Sequence, residues 1–191
     1  MNNPFVGFVP WIIFWVVASP STWEYACGGA LVAAIILAVP SVERGNLKLL
    51  DVVSIAFFAV MTLLGLFLDS SDLDWFEDYS QAISSAVLAV AVLGSLAFVP
   101  FTEQYARETT PREVWDSPRF KQVNRVLTTT WGAVFLATAI LGVIAQQVDS
   151  STARDWLNWI LPIAIVIGGF KFTAWYSAQA RERARSAPQA A

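Results

Sequence analysis

A lysine enclosed by aromatic and small residues, Gly169-Phe170-Lys171-Phe172, is the feature of this sequence best placed to do chemistry. An ammonium inside a membrane is costly, so an intramembrane lysine is a candidate for an ion or proton relay. A simpler reading competes with it. Lys171 lies about seven residues, roughly 10 Å, from the inner end of its apolar block, so its stem can snorkel to the interface or pair with a carboxylate such as Asp51. A relay also needs companions, and the apolar blocks offer few: Ser84, Ser85, Thr128, Thr129, Thr130 and Gln146. Hydroxyls of this kind usually bond their own helix or a neighbour.

Carboxylates form the second cluster: Asp69, Asp72, Asp74, Glu77 and Asp78, with no basic residue among them. Calcium prefers such oxygen ligands, but the spacing lacks the glycine turn and terminal glutamate of an EF-hand loop. A solvated acidic face accounts for the segment, with Trp75 and Phe76 as a short interfacial turn of helix at the headgroups. Cys27 is the single cysteine and there is no histidine, so the commonest general base and the usual zinc ligand sets are missing. No phosphate-binding glycine loop, Gly-x-Ser-x-Gly elbow or HExxH motif occurs. The expectation is therefore a protein without catalytic residues, metal or cofactor.

Long apolar blocks must position these groups. The chain has 191 residues, 56% of them hydrophobic and 14% charged, with a mean hydropathy of +0.54. That composition belongs to a chain whose solvent is lipid. A hydrocarbon core about 30 Å thick takes roughly 20 helical residues to cross. Candidate spans fall at about 4–19, 23–40, 50–68, 81–100, 126–147 and 156–178. The predicted fold is therefore all-α, a six-span polytopic transmembrane bundle in one domain over 1–180, followed by a disordered cytoplasmic tail at 181–191.

The first span is short and contains Pro10, which removes one helical hydrogen bond. Its Met1-Asn2-Asn3-Pro4 head has no basic residue and no small-residue cleavage site follows, so it reads as a retained span rather than a signal peptide. Pro40 and Pro100, each after a valine, are expected to close spans two and four.

Charge orients the bundle. With the N-terminus inside, the inner loops and tail hold Arg44 and Lys48, then Arg107, Arg112, Arg119, Lys121 and Arg125, then Arg181, Arg183 and Arg185. These are ten of the twelve basic residues. The positive-inside rule thus places both termini in the cytoplasm and calls for an even number of spans. The acidic balance, 15 Asp+Glu against 12 Lys+Arg, argues against a nucleic-acid partner. Of the nine tryptophans, all but Trp15 and Trp131 are expected in interfacial belts near span ends, and Trp131 nearer a span interior. Gly29 with Ala33, Ala91 with Ser95, and Gly168-Gly169 permit close packing within the bundle or between copies of a homo-oligomer.

The longest loop has the most distinctive character. Pro100-Phe101-Thr102-Glu103-Gln104-Tyr105-Ala106-Arg107-Glu108, Val114-Trp115, Ser117-Pro118, Phe120, Asn124-Arg125, Leu127-Thr128 and Trp131-Gly132-Ala133-Val134-Phe135 resemble the intracellular septation protein A family and related bacterial inner-membrane proteins. Phe8-Val9-Pro10, and Trp156 with Asn158, extend the likeness along the chain. Two departures are Val99, where a basic residue often precedes the loop proline, and Asn124, which stands farther from Trp131 than in relatives.

The resemblance implies a multi-pass protein of the bacterial inner membrane that supports envelope integrity or septation through contacts with division and wall-synthesis proteins. Its candidate functional residues here are Tyr105, Arg107, Trp115, Asn124, Arg125, Thr128 and Trp131, beside Lys171. The loop suits such contacts as an amphipathic helix lying on the membrane, with Phe101, Tyr105 and Trp115 as anchors. It also suits simple enforcement of topology. The alternative function is a small ion or solute transporter with a polar path at Lys171 and the threonines beside Thr128.

Overall fold

The computed structural model describes residues 4–18, 22–68 and 70–185, all helices and short links. A 3₁₀ turn, Pro4–Phe8, leads into α1 (Val9–Val17). Then come α2 (Trp23–Glu43), α3 (Leu49–Phe67), α4 (Ser70–Gly94), the short α5 (Phe101–Ala106), α6 (Pro118–Ala145), α7 (Ser151–Asp155) and α8 (Leu161–Arg185). A π-helical turn, Trp156–Ile160, joins α7 to α8. Five segments are long and apolar enough to cross a membrane, and Val6–Val17 is a shorter apolar helix. The chain is thus a polytopic helical membrane protein, with five candidate spans of full length, and the first of the six expected spans, already short in sequence, is the shorter helix.

That short segment sits at the centre. Pro10, Trp11 and Phe14 are fully buried. The Trp11 ring lies 5.0 Å from both Phe57 and Phe58 of α3, and Phe8 lies 5.9 Å from Trp131 and 5.7 Å from Phe135 of α6. Two indoles tie α1 to its neighbours: Trp11 Nε1 donates to Ser54 Oγ at 2.7 Å, and Trp15 Nε1 to Ser84 Oγ at 2.9 Å. Trp11 and Trp23 are therefore core residues, not the belt residues expected. Both carry a large apolar ring that gains from close contact inside a bundle; the Trp11 N–H is paired with Ser54, whereas Trp23 Nε1 is buried without a hydrogen-bond partner among the described residues, so ring contacts alone hold it there.

Helix ends follow local chemistry. Gly45, at φ 62°, ends α2, where Gly45 N–H donates to Val42 O and Asn46 N–H to Ser41 O, both at 2.9 Å. This is a Schellman cap, which needs the left-handed conformation that glycine takes without strain. Pro40 therefore does not end the helix, contrary to expectation; it lies inside α2, five residues before the glycine stop. Ser117 caps α6 by accepting from Phe120 N–H at 3.3 Å, with Pro118 in the first turn. That cap starts α6 well before the expected residue 126. Likewise α4 starts at Ser70, absorbing Asp74, Glu77 and Asp78 into a continuous helix, and ends at Gly94 rather than at Pro100. Asp69 lies outside the described residues. α8 stays helical to Arg185, so the expected disordered tail is partly helix; residues 186–191 lie outside the described part.

Small residues set the spacing between helices, in part at the expected positions: Gly169 is buried, and a Cβ there would stand 3.2 Å from Val134 Cγ2 of α6. Ala26, Ala30, Ala34 and Ala38 form the buried stripe of α2, whereas Gly29 is exposed and a side chain there would meet nothing. Between the antiparallel α4 and α6, a Cβ on Gly142 would stand 3.0 Å from Ala82 Cβ and 3.2 Å from Ala82 Cα. Gly132 likewise faces Leu93 too closely for any side chain.

Both ends of the described chain lie at the same end of the bundle. Gly7 is packed against Tyr105 and Leu50, and Arg181 shares a pocket with Tyr105 and Phe8.

Gly142→Leu is expected to wedge α4 from α6 and destabilise the protein by about 1–3 kcal/mol, read as a lower thermal midpoint in detergent. Gly28→Leu, where a side chain meets open space, should change stability by no more than about 0.5 kcal/mol.

Candidate functional site

The basic residues gather at one end. Arg44 closes α2 and Lys48 precedes α3, where Lys48 N–H donates to Asp51 Oδ2 at 3.2 Å. Asp51 is thus engaged at the start of α3 rather than with Lys171. The Lys48 side chain is nearly buried, with Nζ 2.8 Å from Glu108 Oε1 and 4.5 Å from the centre of the Tyr105 ring. Arg107 gives Nη2 to Glu103 Oε1 at 2.6 Å and Nε to the same oxygen at 3.1 Å. Its guanidinium lies 5.0 Å from the Trp115 ring centre, and that of Arg112 5.7 Å. Trp115 is fixed in turn by its Nε1, which donates to Thr110 O at 2.9 Å.

α5 supports this cluster from below. Phe101, Glu103 and Tyr105 are buried, so the helix is tucked into the bundle and its aromatics anchor to protein. The expected surface-lying helix is replaced by this docked turn, because Phe101 and Tyr105 find an aromatic wall in Phe8 and each other. Thr102 rivets α5 to α6: its Oγ1 donates to Asn124 O at 2.8 Å and lies 2.9 Å from Thr128 Oγ1. Gln104 reaches the other way, accepting from Leu49 N–H at 2.8 Å.

The structure therefore sorts the candidate residues. Tyr105, Asn124 and Trp131 line one cavity of about 270 Å³ between α5, α6 and α8, with Arg181 at its edge. Thr128 is buried beside it. Asn124, Thr128 and Trp131 all use their polar atoms within the bundle, Trp131 Nε1 donating to Thr173 Oγ1 at 3.2 Å and Asn124 Nδ2 to Phe120 O at 2.9 Å. Arg107 and Trp115 belong instead to the basic cleft. Arg125 and Lys171 are exposed, and neither has an ion pair among the described residues. Lys171 is not in the lining of the cavity between α5, α6 and α8; Phe170 and Thr173 of α8 are. Lys48, Glu103 and Glu108 were missed as site residues. Their signal was weak, since Glu103 and Glu108 are two of four carboxylates interspersed with five basic residues over 101–125.

The opposite end is acidic and carries a crevice. A mouth of about 390 Å³ is lined by Glu77, Asp78, Asp155 and Arg154, together with Trp15, Gln81, Asn158 and Trp159. The last four also line an apolar chamber of about 240 Å³ closed off by Phe135, Pro162 and Val166. Proline at 162 cannot donate to the carbonyl four residues back, so the helix widens into its π turn and frees Asn158 O. Gln81 Nε2 of α4 donates to that oxygen. Gln146 Nε2 donates to Asp78 O at 2.6 Å and ties α6 to α4 at the same end.

No family model, curated protein or solved structure matches this chain. The site is therefore defined by its own geometry.

The Tyr105 hydroxyl is buried without a hydrogen-bond partner among the described residues. Burial pushes its ionisation well above the ordinary range, and the Asp51 and Glu108 carboxylates add to the shift. In the unfolded chain the phenol ionises near pH 10, so stability held below that pH falls as pH rises beyond it. Tyr105→Phe is expected to raise stability at pH 7 by about 1 kcal/mol, since an unpaired buried hydroxyl is lost, and to flatten the alkaline loss. Thermal melts at pH 7 and at alkaline pH check both; a clear destabilisation at pH 7 would mean the hydroxyl is paired.

Proposed function

We propose that this is a bacterial inner-membrane protein that crosses the bilayer six times with both ends in the cytoplasm. It works as a non-catalytic interaction protein of the cell envelope, the role implied by its likeness to the septation protein A family. Its contact surface is the 107–117 segment, and its partners are division or wall-synthesis membrane proteins. One observation carries the reading: this loop is built rather than slack. A loop that merely enforced topology needs only its charges. Here the Lys48–Glu108 and Arg107–Glu103 pairs, the Thr102 rivet and the buried Tyr105 fix its backbone to three helices. Beyond these ties it presents Val114, Glu113 and Asp116 outward. A preorganised loop binds a partner without the entropic cost of ordering.

The orientation draws support from the two ends. Arg44, Lys48, Arg107 and Arg112 share one cleft and Arg181 lies at the same end, while Arg154 sits opposite among Glu77, Asp78 and Asp155.

A second reading, a small ion or solute transporter, is favoured by one observation. Gln81 and Ser85 of α4, Thr138 of α6 and Asn158 of the π turn line the connected crevice. That crevice stops at Phe135, and Lys171 is not on it.

Reporter fusions after residue 185 and in the 107–117 segment should report cytoplasm, and one in the 147–150 link the opposite side. A photocrosslinker at Val114 should capture division or wall-synthesis proteins, and Val114→Asp should lower capture about tenfold, the scale of a lost hot spot. Unchanged capture, with solute flux into liposomes abolished by Gln81→Leu, would reverse the ranking in favour of transport.

A further inference from the structure

Between the α2–α3 link and the α5–α6 loop lies an open cleft of about 730 Å³. Its lining is chemically mixed. Four cations contribute to it, Arg44 and Lys48 from the α2–α3 link and Arg107 and Arg112 from the α5–α6 loop. Glu108 is the single carboxylate in the lining, and it is engaged by Lys48. Glu103 engages Arg107 from below. Arg44 and Arg112 have no carboxylate partner among the described residues; Arg44 Nε donates to Pro40 O at 2.8 Å, and Arg112 rests by the Trp115 ring. Like charges gathered this closely repel one another unless an anion sits between them.

The same lining has an apolar part, Leu47, Leu49, Val52 and Val99. Leu47 and Val52 are each about half exposed, and Val52 begins the outward face of a membrane-spanning helix. A free anion has no use for such a surface. An amphiphile does, because its charged head can meet the guanidinium groups while its chain follows α3 into the bilayer.

The geometry points to a site for a phosphate oxyanion carried by an anionic phospholipid, with the headgroup phosphate between Arg44 and Arg112 and an acyl chain along Leu47 and Val52. Arg supplies the planar donor fork that suits phosphate, and Trp115 holds the Arg112 guanidinium near its place. The site shares the inner-face loop with the proposed partner surface but does not depend on that reading. Lipid is taken at the cleft lining, to which Val114 does not belong.

The test uses the full chain, purified in mild detergent and exchanged into nanodiscs of zwitterionic lipid doped with phosphatidylglycerol or cardiolipin, with retained lipid counted by native mass spectrometry. The wild type is expected to retain anionic lipid over zwitterionic lipid. Arg44→Gln with Arg112→Gln should lower that retention about tenfold or more, given two lost surface cations. Both arginines are exposed, so the fold should survive, and the Arg44→Lys, Arg112→Lys pair should keep most of the binding and so separates charge from folding. Lys121→Gln with Arg125→Gln removes equal charge outside the cleft and should leave retention unchanged. Equal losses from both glutamine pairs would reduce the effect to general surface charge and overturn the site. Complete displacement of lipid by about 1 mM inorganic phosphate would place the ligand in solution and overturn the lipid assignment. Lost lipid with intact Val114 capture, or the reverse, tells failure of this site from failure of the partner reading.

Discussion

A polar group inside a lipid-embedded bundle has no water to fall back on, so it must be satisfied by another helix. Much of this structure follows from that constraint. Trp11 with Ser54, Trp15 with Ser84 and Trp131 with Thr173 are three indole–hydroxyl bonds that join α1 to α3, α1 to α4 and α6 to α8. Gln81 covers the carbonyl that Pro162 leaves bare, and Gln146 covers Asp78 O. Each bond of this kind contributes only about 0.6 kcal/mol on average. Their greater effect is on register, because a helix that slides or rotates leaves an indole or amide unpaired. The short α1 depends on this most: at nine residues it is held by aromatic contacts and two indole bonds rather than by length.

The two ends of the bundle use charge differently. At the basic end, Lys48 and Glu108 meet with little solvent around them, and taking away one partner of such a pair strands the other at a cost of several kcal/mol. The pair is therefore better understood as fixing the loop than as adding stability. At the acidic end, amides rather than ion pairs make the links between helices, and the carboxylates stay at the crevice mouth. The exposed Asp116–Lys121 pair, where the lysine holds the carboxyl below its usual range, contributes little to stability.

How far the sequence could be read is clearest residue by residue. α3 was legible at both ends because Asp51 caps its start and its apolar run has no interruption. The end of α2 was not, because Pro40 was given more weight than Gly45; proline disturbs a membrane helix, but a left-handed glycine ends it. Trp11 and Trp23 were assigned to belts since indoles are frequent at interfaces, yet burial depends on which helix lies alongside. The Ala26, Ala30, Ala34, Ala38 stripe was visible as a four-residue period and passed over for a glycine pair that faces outward. Lys171 shows the limit best: its apolar neighbours mark it as intramembrane, but only rotation about α8 decides whether it faces a path or the outside.

By itself, then, the sequence determined that the chain's solvent is lipid, and it carries the charge asymmetry on which the proposed orientation rests. Hydropathy and the segregation of ten basic residues are one-dimensional properties, and a bilayer reads them one segment at a time. The tertiary structure alone decided which groups meet. Glu108 reaches Lys48 across sixty residues of chain, and Gln81 reaches Asn158 across 77. Such pairings arise from how helices pack and turn against one another, and no local pattern of residue types encodes that.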